Sequence, residues 1–326
     1  MQSVFVRLHL TSCQTQSDNV VETGNLGACP RGSSSVGHPT EAAPRLLLCD
    51  RQSFAWWLSS LGPTRVFPPG RGGRPTHRQP TGLAVDSRVT HMIYDATVVE
   101  TYRITPRVQG LRLQVPDHEF DYEPGQHTTV RFDSAGEEVV RPYTPTNLPG
   151  SDQLALTVRR YDDGLASSYL HQKRPGDTVR LGPVEGSLTL ADPDRDVAFL
   201  ASGTGLTPMM AMLRQYLREG TGNAHVVYGD RREETLIHRE TLNELAANHS
   251  NLRVAFTLSD PNWEWTGRVG YVQDHLSALF DSFDARDYYV CGVPPMVVQT
   301  KARLAELGAP DARVHTEGWE DGAVEN

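Results

Sequence analysis

Lysine is almost missing from this chain of 326 residues: only Lys173 and Lys301 occur. Arginine carries the rest of the positive charge, and it is spread unevenly. Residues 1–91 hold nine arginines and five acidic residues, whereas the remainder holds 22 basic residues against 35 acidic ones. A body this acidic repels a phosphate backbone, so no nucleic-acid partner is expected. It is also a composition that a high-salt cytoplasm favours, because carboxylates hold water and screening removes their repulsion.

Cysteine is scarce as well. Cys13, Cys29 and Cys49 lie in the N-terminal stretch, and Cys291 stands alone. No pair has CxxC spacing, so no iron–sulfur cluster of its own is expected. None of the histidines forms an HxxxH-type pair, and no metal site is expected. No apolar run approaches the roughly 18 residues of a membrane span. The first ten residues lack the long apolar segment and cleavage site of a secretory signal. A cytoplasmic protein with no membrane span is the expectation.

Residues 1–91 show no sustained period and include the run Pro68 to Pro75, rich in Gly, Pro and Arg. That composition predicts a disordered extension, or one that is not part of the natural protein, with the folded unit starting near Met92. Short alternating runs then follow: 97–101, 111–115, 127–132, 154–159 and 178–181. Turn signals such as Glu123-Pro124-Gly125 and Pro175-Gly176-Asp177 separate them. Short strands with Gly/Pro turns predict an antiparallel β-barrel or sandwich over 92–191, interrupted by a helical patch at 166–172. From 195 to 319 the rhythm changes. Strands at 197–201, 225–228, 253–258, 288–291 and 313–316 alternate with helices at 209–217, 239–247, 274–280 and 295–307. This alternation predicts an open parallel α/β sheet, with 320–326 as a tail.

Two segments carry chemistry. Gly203-Thr204-Gly205 follows a buried strand and opens a helix whose first turn contains Thr207 and Pro208. Such a turn presents backbone N–H groups and a helix N-terminus to a phosphate; the alternative is a structural turn. In Arg141-Pro142-Tyr143-Thr144, an extended backbone places Arg141 and Tyr143 on one face and Thr144 on the other. A guanidinium suits a pyrophosphate, a Tyr ring packs on a flat heterocycle, and a Thr hydroxyl donates or accepts near a ring nitrogen. The alternative is a surface Arg before a strand end.

These motifs and their order make residues 95–319 resemble the ferredoxin–NADP reductase superfamily, notably its flavohemoglobin-reductase and cytochrome-b-type-reductase branches. Arg141 to Thr144 is similar to the RxYS/T flavin motif. The run Gly164 to His171 resembles the GxxS segment, which implies Gly164, Ser167 and Ser168 near the flavin's pyrophosphate. Val158-Arg159-Arg160 stands where the family often has a basic pair near the cofactor, which implies Arg159 there. Gly203 to Met209 resembles the nucleotide loop. Cys291-Gly292 with Met296 resembles the CGxPPM motif, which implies Cys291 near the nicotinamide as a positioning residue; the alternative is a small buried Cys. Glu317 and Trp319 resemble the acidic-plus-aromatic C-terminal end beside the flavin. The resemblance thus implies a Greek-key FAD barrel followed by an NAD(P) domain, with Thr144, Tyr143, Cys291 and Glu317 at the reacting centre.

A 2′-phosphate wants Arg and a free ribose wants a carboxylate. Arg231 follows the second strand of the α/β region, where NADPH-using relatives place an Arg. The run Thr257 to Val269, with Asp260, looks more like NADH-using branches, and NADH is the expected donor. The acceptor is then a separate ferredoxin-like protein, haem protein or small molecule. The rival expectation is a flavin- or nucleotide-binding regulatory subunit without turnover.

Overall fold

The computed structural model describes residues 92–317, all within one compact unit. The expectations for residues 1–91, for Trp319 and for the tail lie outside the described residues.

Six strands form the first sheet: β1 (Tyr94–Thr105), β2 (Val108–Gln114), β3 (Thr128–Ser134), β4 (Glu137–Tyr143), β5 (Gln153–Arg159) and β6 (Thr178–Leu181). Their order is β4-β3-β6-β1-β2-β5, and every pairing is antiparallel. Alternate residues point inward, so Val98, Leu111, Leu113, Val130, Leu154 and Leu181 share one buried core. The loop after β4 bridges the open side of the barrel to β5. Thr146 N donates to Ala155 O at 2.8 Å, and Asn147 Oδ1 accepts from Ala155 N at 2.8 Å. One helix, α1 (Leu165–His171), covers part of this core through Ala166 and Leu170.

Strand β4 was not expected as a full strand. It pairs only with β3, and its solvent-facing residues Glu137, Glu138, Arg141 and Pro142 break the alternation that marks a strand in sequence. Pro is tolerated there because β4 is an edge.

The second sheet contains β7 (Val197–Ser202), β8 (Ala224–Asp230), β9 (Leu252–Leu258), β10 (Arg268–Val269), β11 (Asp287–Cys291) and β12 (Val314–Thr316). All its pairings are parallel, in the order β10-β9-β8-β7-β11-β12. Helices α2 (Leu206–Glu219) and α3 (Arg239–Asn248) contribute to one buried cluster. Helices α4 (Leu276–Leu279) and α5 (Pro294–Glu306) contribute to another. The helix expected over 274–280 is a 3₁₀ turn, Val272–His275, followed by the single turn of α4. Asp274 Oδ2 caps Tyr271 N at 2.8 Å, which winds the chain tightly before the helix begins.

The sheets meet through side chains of both. Val108 of β2 and Leu188 lie in the same buried cluster as Met209, Met212 and Tyr228. Gly125 takes φ +105, and a Cβ there would stand 2.0 Å from Leu188 O and 2.9 Å from Met212 Sδ, so only glycine fits. His238, in the left-handed region at φ 51 before α3, places Nε2 2.9 Å from Thr157 Oγ1 of β5. Arg214 of α2 donates to Thr146 O. Burial, reinforced by the Arg214 charge, pushes the His238 imidazole down to about 3. The ring is therefore neutral at ordinary pH.

Candidate functional site

The strand order turns on β7. From there the chain runs outward to β8 and β9 on one side, and β11 and β12 lie on the other. In an open α/β sheet this switch point leaves a crevice beyond the carboxyl ends of the two strands that flank it, β7 and β11. Those ends are Ser202-Gly203 and Cys291-Gly292, since Cys291 stands opposite Ala201 in register.

The two turns are fitted together at backbone distance. A Cβ on Gly205 would lie 2.3 Å from Cys291 O and 2.5 Å from Gly292 N. A Cβ on Gly292 would lie 2.2 Å from Ser202 Oγ, whose oxygen accepts from Val293 N at 3.2 Å. Gly203 takes φ +55 and opens a 3₁₀ turn over Gly203–Gly205 that runs into α2. Thr207 Oγ1 donates to Thr204 O at 2.9 Å and braces this loop. Thr207 and Pro208 are buried, as is Met296 of α5, so these three support the loops from behind. Cys291 is buried too. Burial, with the Glu317 carboxylate adding to it, pushes its thiol up to about 12. A thiol held protonated is no nucleophile.

On the barrel, Tyr143 and Arg141 stand opposite Thr128 and Val130. The Tyr143 ring packs against the barrel core, and burial raises its hydroxyl to about 12. Thr144 follows, half-buried. The exposed Arg141 guanidinium bonds only its neighbour's carbonyl, Val140 O at 2.9 Å, and has no carboxylate partner among the described residues. Gly164 caps α1, where a Cβ would lie 2.4 Å from Ser167 Oγ. The buried Ser167 hydroxyl donates to Gly164 O and accepts from Tyr161 N, each at 3.1 Å, and so fixes this turn. Ser168 is half-buried and its N–H bonds Gly164 O at 2.9 Å.

Arg159, at the end of β5, reaches across to the second sheet. Its Nη1 lies 3.4 Å from where a Gly203 Cβ would stand. A cleft of about 180 Å³ opens there, lined by Thr105, Arg107, Arg159, Gly203, Thr204 and Asp230, among others. Sequence spacing offers no hint that Thr105, Arg107 and Asp230 border it, because they converge only through register. Arg231 lies at the far end of β8, where its Nε and the Nε and Nη2 of Arg232 all donate to Asp260 Oδ2, at 3.1, 3.2 and 3.1 Å. Glu317 follows β12, and its Oε1 is 3.3 Å from His127 Nδ1 of the barrel. His127 carried no signal in the sequence.

Glycine-only turns, an Arg141 with no carboxylate partner among the described residues and a cleft between two sheets fit a pair of dinucleotides, one against each sheet. The fold and site therefore define an oxidoreductase that uses a flavin and a nicotinamide nucleotide. Comparison with known proteins agrees. Residues 95–189 match the oxidoreductase FAD-binding domain and residues 199–302 the oxidoreductase NAD-binding domain. The chain is 36 % identical over 241 residues to ferredoxin–NADP reductase B of Sorangium cellulosum, covering 70 % of this chain and 98 % of that protein. It is 32 % identical to the ferredoxin reductase component of a Mycolicibacterium smegmatis 3-ketosteroid-9-alpha-monooxygenase, spanning 69 % of this chain and 65 % of that protein. The CS-b5R domains of human Ncb5or superpose with a TM-score of 0.64 at 25 % identity, over 69 % of each chain. The chain belongs to the ferredoxin–NADP reductase superfamily and is an NAD(P)H-dependent, FAD-containing reductase. No helix among the described residues is long and apolar enough to cross a membrane.

Proposed function

We propose that residues 92–191 are the FAD domain and 195–319 the NAD(P) domain, and that electrons leave for a separate acceptor. Relatives named for ferredoxin support a ferredoxin-like acceptor and those named for cytochrome b5 a haem protein, with a small molecule as the third candidate. The observation that carries this reading is the fit of the Gly203–Gly205 turn against Cys291-Gly292 at the switch point, with Arg159 reaching in from the barrel.

A bound FAD would supply the redox chemistry, hydride uptake from NAD(P)H and electron release one or two at a time. The protein supplies position. Arg141 pairs with the flavin's pyrophosphate, for which its guanidinium is left available. Tyr143 lends its ring and Thr144 its hydroxyl to the flavin. Gly164, Ser167 and Ser168 bring the N-terminal end of α1 to the same pyrophosphate. Gly203, Thr204 and Gly205 hold the nicotinamide nucleotide's phosphates with Arg159. Cys291 and Gly292 shape the nicotinamide pocket, with Met296, Thr207 and Pro208 behind them. Glu317 and Trp319 close the C-terminal side.

The donor is NADH in this reading. Arg231 and Arg232 are both paired with the Asp260 carboxylate, so a 2′-phosphate would have to compete with it for them. The cytoplasm is the compartment proposed with this function. Steady-state assays with NADH and ferricyanide, a ferredoxin, a cytochrome and free flavin test the proposal. Turnover with at least one acceptor is expected, and failure with all of them by a flavin-replete protein would refute it.

A further inference from the structure

His127 and Glu317 are 190 positions apart, yet they form a contact between the barrel and the end of the parallel sheet. The ring has a prepared place. His127 N donates to Glu185 O at 2.7 Å, and Glu185 N donates to His127 O at 2.8 Å, which fixes the backbone just before β3. Gly186 takes φ +126, and a Cβ there would stand 3.0 Å from His127 Nδ1, so a side chain at 186 would crowd the ring. Glu317 comes from the residue after β12, and Oε1 is 3.3 Å from Nδ1, an ion-pair separation in which Nδ1 makes no aligned hydrogen bond. Both side chains are about a quarter exposed or less. The charged groups facing the imidazole are Glu317 and Glu185, both acidic, and together they favour its protonated form. Thr316 of β12 stands opposite Val290 of β11, so Glu317 and Cys291 are the next residues along the two paired segments, and the carboxylate acts on the thiol.

We propose that His127 is a positioning residue: its ring holds the Glu317 carboxylate beside Cys291 and so keeps the end of β12 seated against the barrel. The proposal rests on the reading that Cys291 lies at the nicotinamide site. Protonated His127 attracts the Glu317 carboxylate as an ion pair across 3.3 Å, whereas neutral His127 carries no charge to hold it. The seat is therefore firm at low pH and loosens as the imidazole loses its proton.

The test reads Cys291 burial in the flavin-loaded protein. Alkylation by N-ethylmaleimide is followed at Cys291 by peptide mass spectrometry, for wild type, H127R, H127F and E317Q. H127R keeps the positive charge at every pH and corrects for the intrinsic pH dependence of the thiol. Wild type should match H127R at pH 5.5 and react about fivefold faster than H127R at pH 8.5, the loss of one partly exposed ion pair. H127F and E317Q should be fast at both pH values, with near-ultraviolet circular dichroism unchanged. A wild-type rate that tracks H127R across the whole range, or wild-type protection in both H127F and E317Q, would overturn the proposal. Adding NAD⁺ to the wild type probes the underlying reading separately. Protection of Cys291 by NAD⁺ supports the site. No protection alongside the expected pH pattern would remove the nicotinamide assignment and leave the His127–Glu317 seat standing.

Discussion

Replacing Gly205 with Ala puts a methyl group where the backbone of another turn already stands. Its Cβ would lie 2.3 Å from Cys291 O, 2.4 Å from Cys291 C and 2.5 Å from Gly292 N. No rotamer change moves a backbone atom, so the two turns must part by about 1 Å to reach ordinary carbon contact. The dihedrals at Gly205, φ −60 and ψ −11, suit Ala. Ala also stiffens the unfolded chain, which returns roughly 0.4–1 kcal/mol. Overpacking costs about 1–3 kcal/mol, so the clash wins by about 1–2 kcal/mol. Function should suffer more than stability, because a shift of about 1 Å at a positioning loop lowers kcat/KM on the order of 100-fold. Gly136→Ala is the control: φ is +86 with nothing within 4 Å of the added Cβ. It carries only left-handed strain, about 1–2 kcal/mol, offset by the same return of roughly 0.4–1 kcal/mol. Urea unfolding should thus give similar losses for the two variants, while calorimetric NAD⁺ affinity and kcat/KM should fall only in Gly205→Ala. Wild-type nucleotide handling by Gly205→Ala would refute the argument that the two turns are fitted for the nucleotide.

Arg141→Ala should weaken FAD binding about tenfold to a hundredfold, the loss of a charge-assisted contact, read by the fluorescence of released flavin; undiminished retention would remove Arg141 from the site. Asp260→Asn should free Arg231 and Arg232 and raise kcat/KM for NADPH about tenfold with little change for NADH, and an unchanged ratio would show that Asp260 does not set the choice. His238 has a folded pKa pushed down to about 3, against an ordinary value near 6.5. The unfolded chain takes up the proton first, so stability is full above about pH 6.5 and is lost as pH falls toward 3, by up to about 1.4 kcal/mol per unit. His238→Asn keeps a residue that tolerates the left-handed backbone and should flatten urea midpoints across that window relative to wild type.

The turns were the legible part of this chain. Gly203-Thr204-Gly205 and Cys291-Gly292 announce themselves because glycine is required where backbones touch, and that requirement is local. The buried run of β7 and the alternation of β2, β3 and β5 were legible for the same reason, since burial repeats with the pleat. Strand β4 was not, because an edge with Glu137, Glu138 and Pro142 facing solvent carries no period. The helix at 274–280 was overread: its apolar spacing suits one turn, and the Asp274 cap tightens the rest. Long-range contacts left no trace. Arg159 meets Gly203, His238 meets Thr157 and His127 meets Glu317 only once two sheets have docked.

The measurement that tests the central claim most directly is an anaerobic visible-absorbance titration of the flavin-loaded protein with NADH. A flavin band that bleaches at low NADH, with Gly205→Ala requiring far more, is the result expected from a nucleotide loop seated against Cys291. A flavin band that neither NADH nor NADPH bleaches would contradict it.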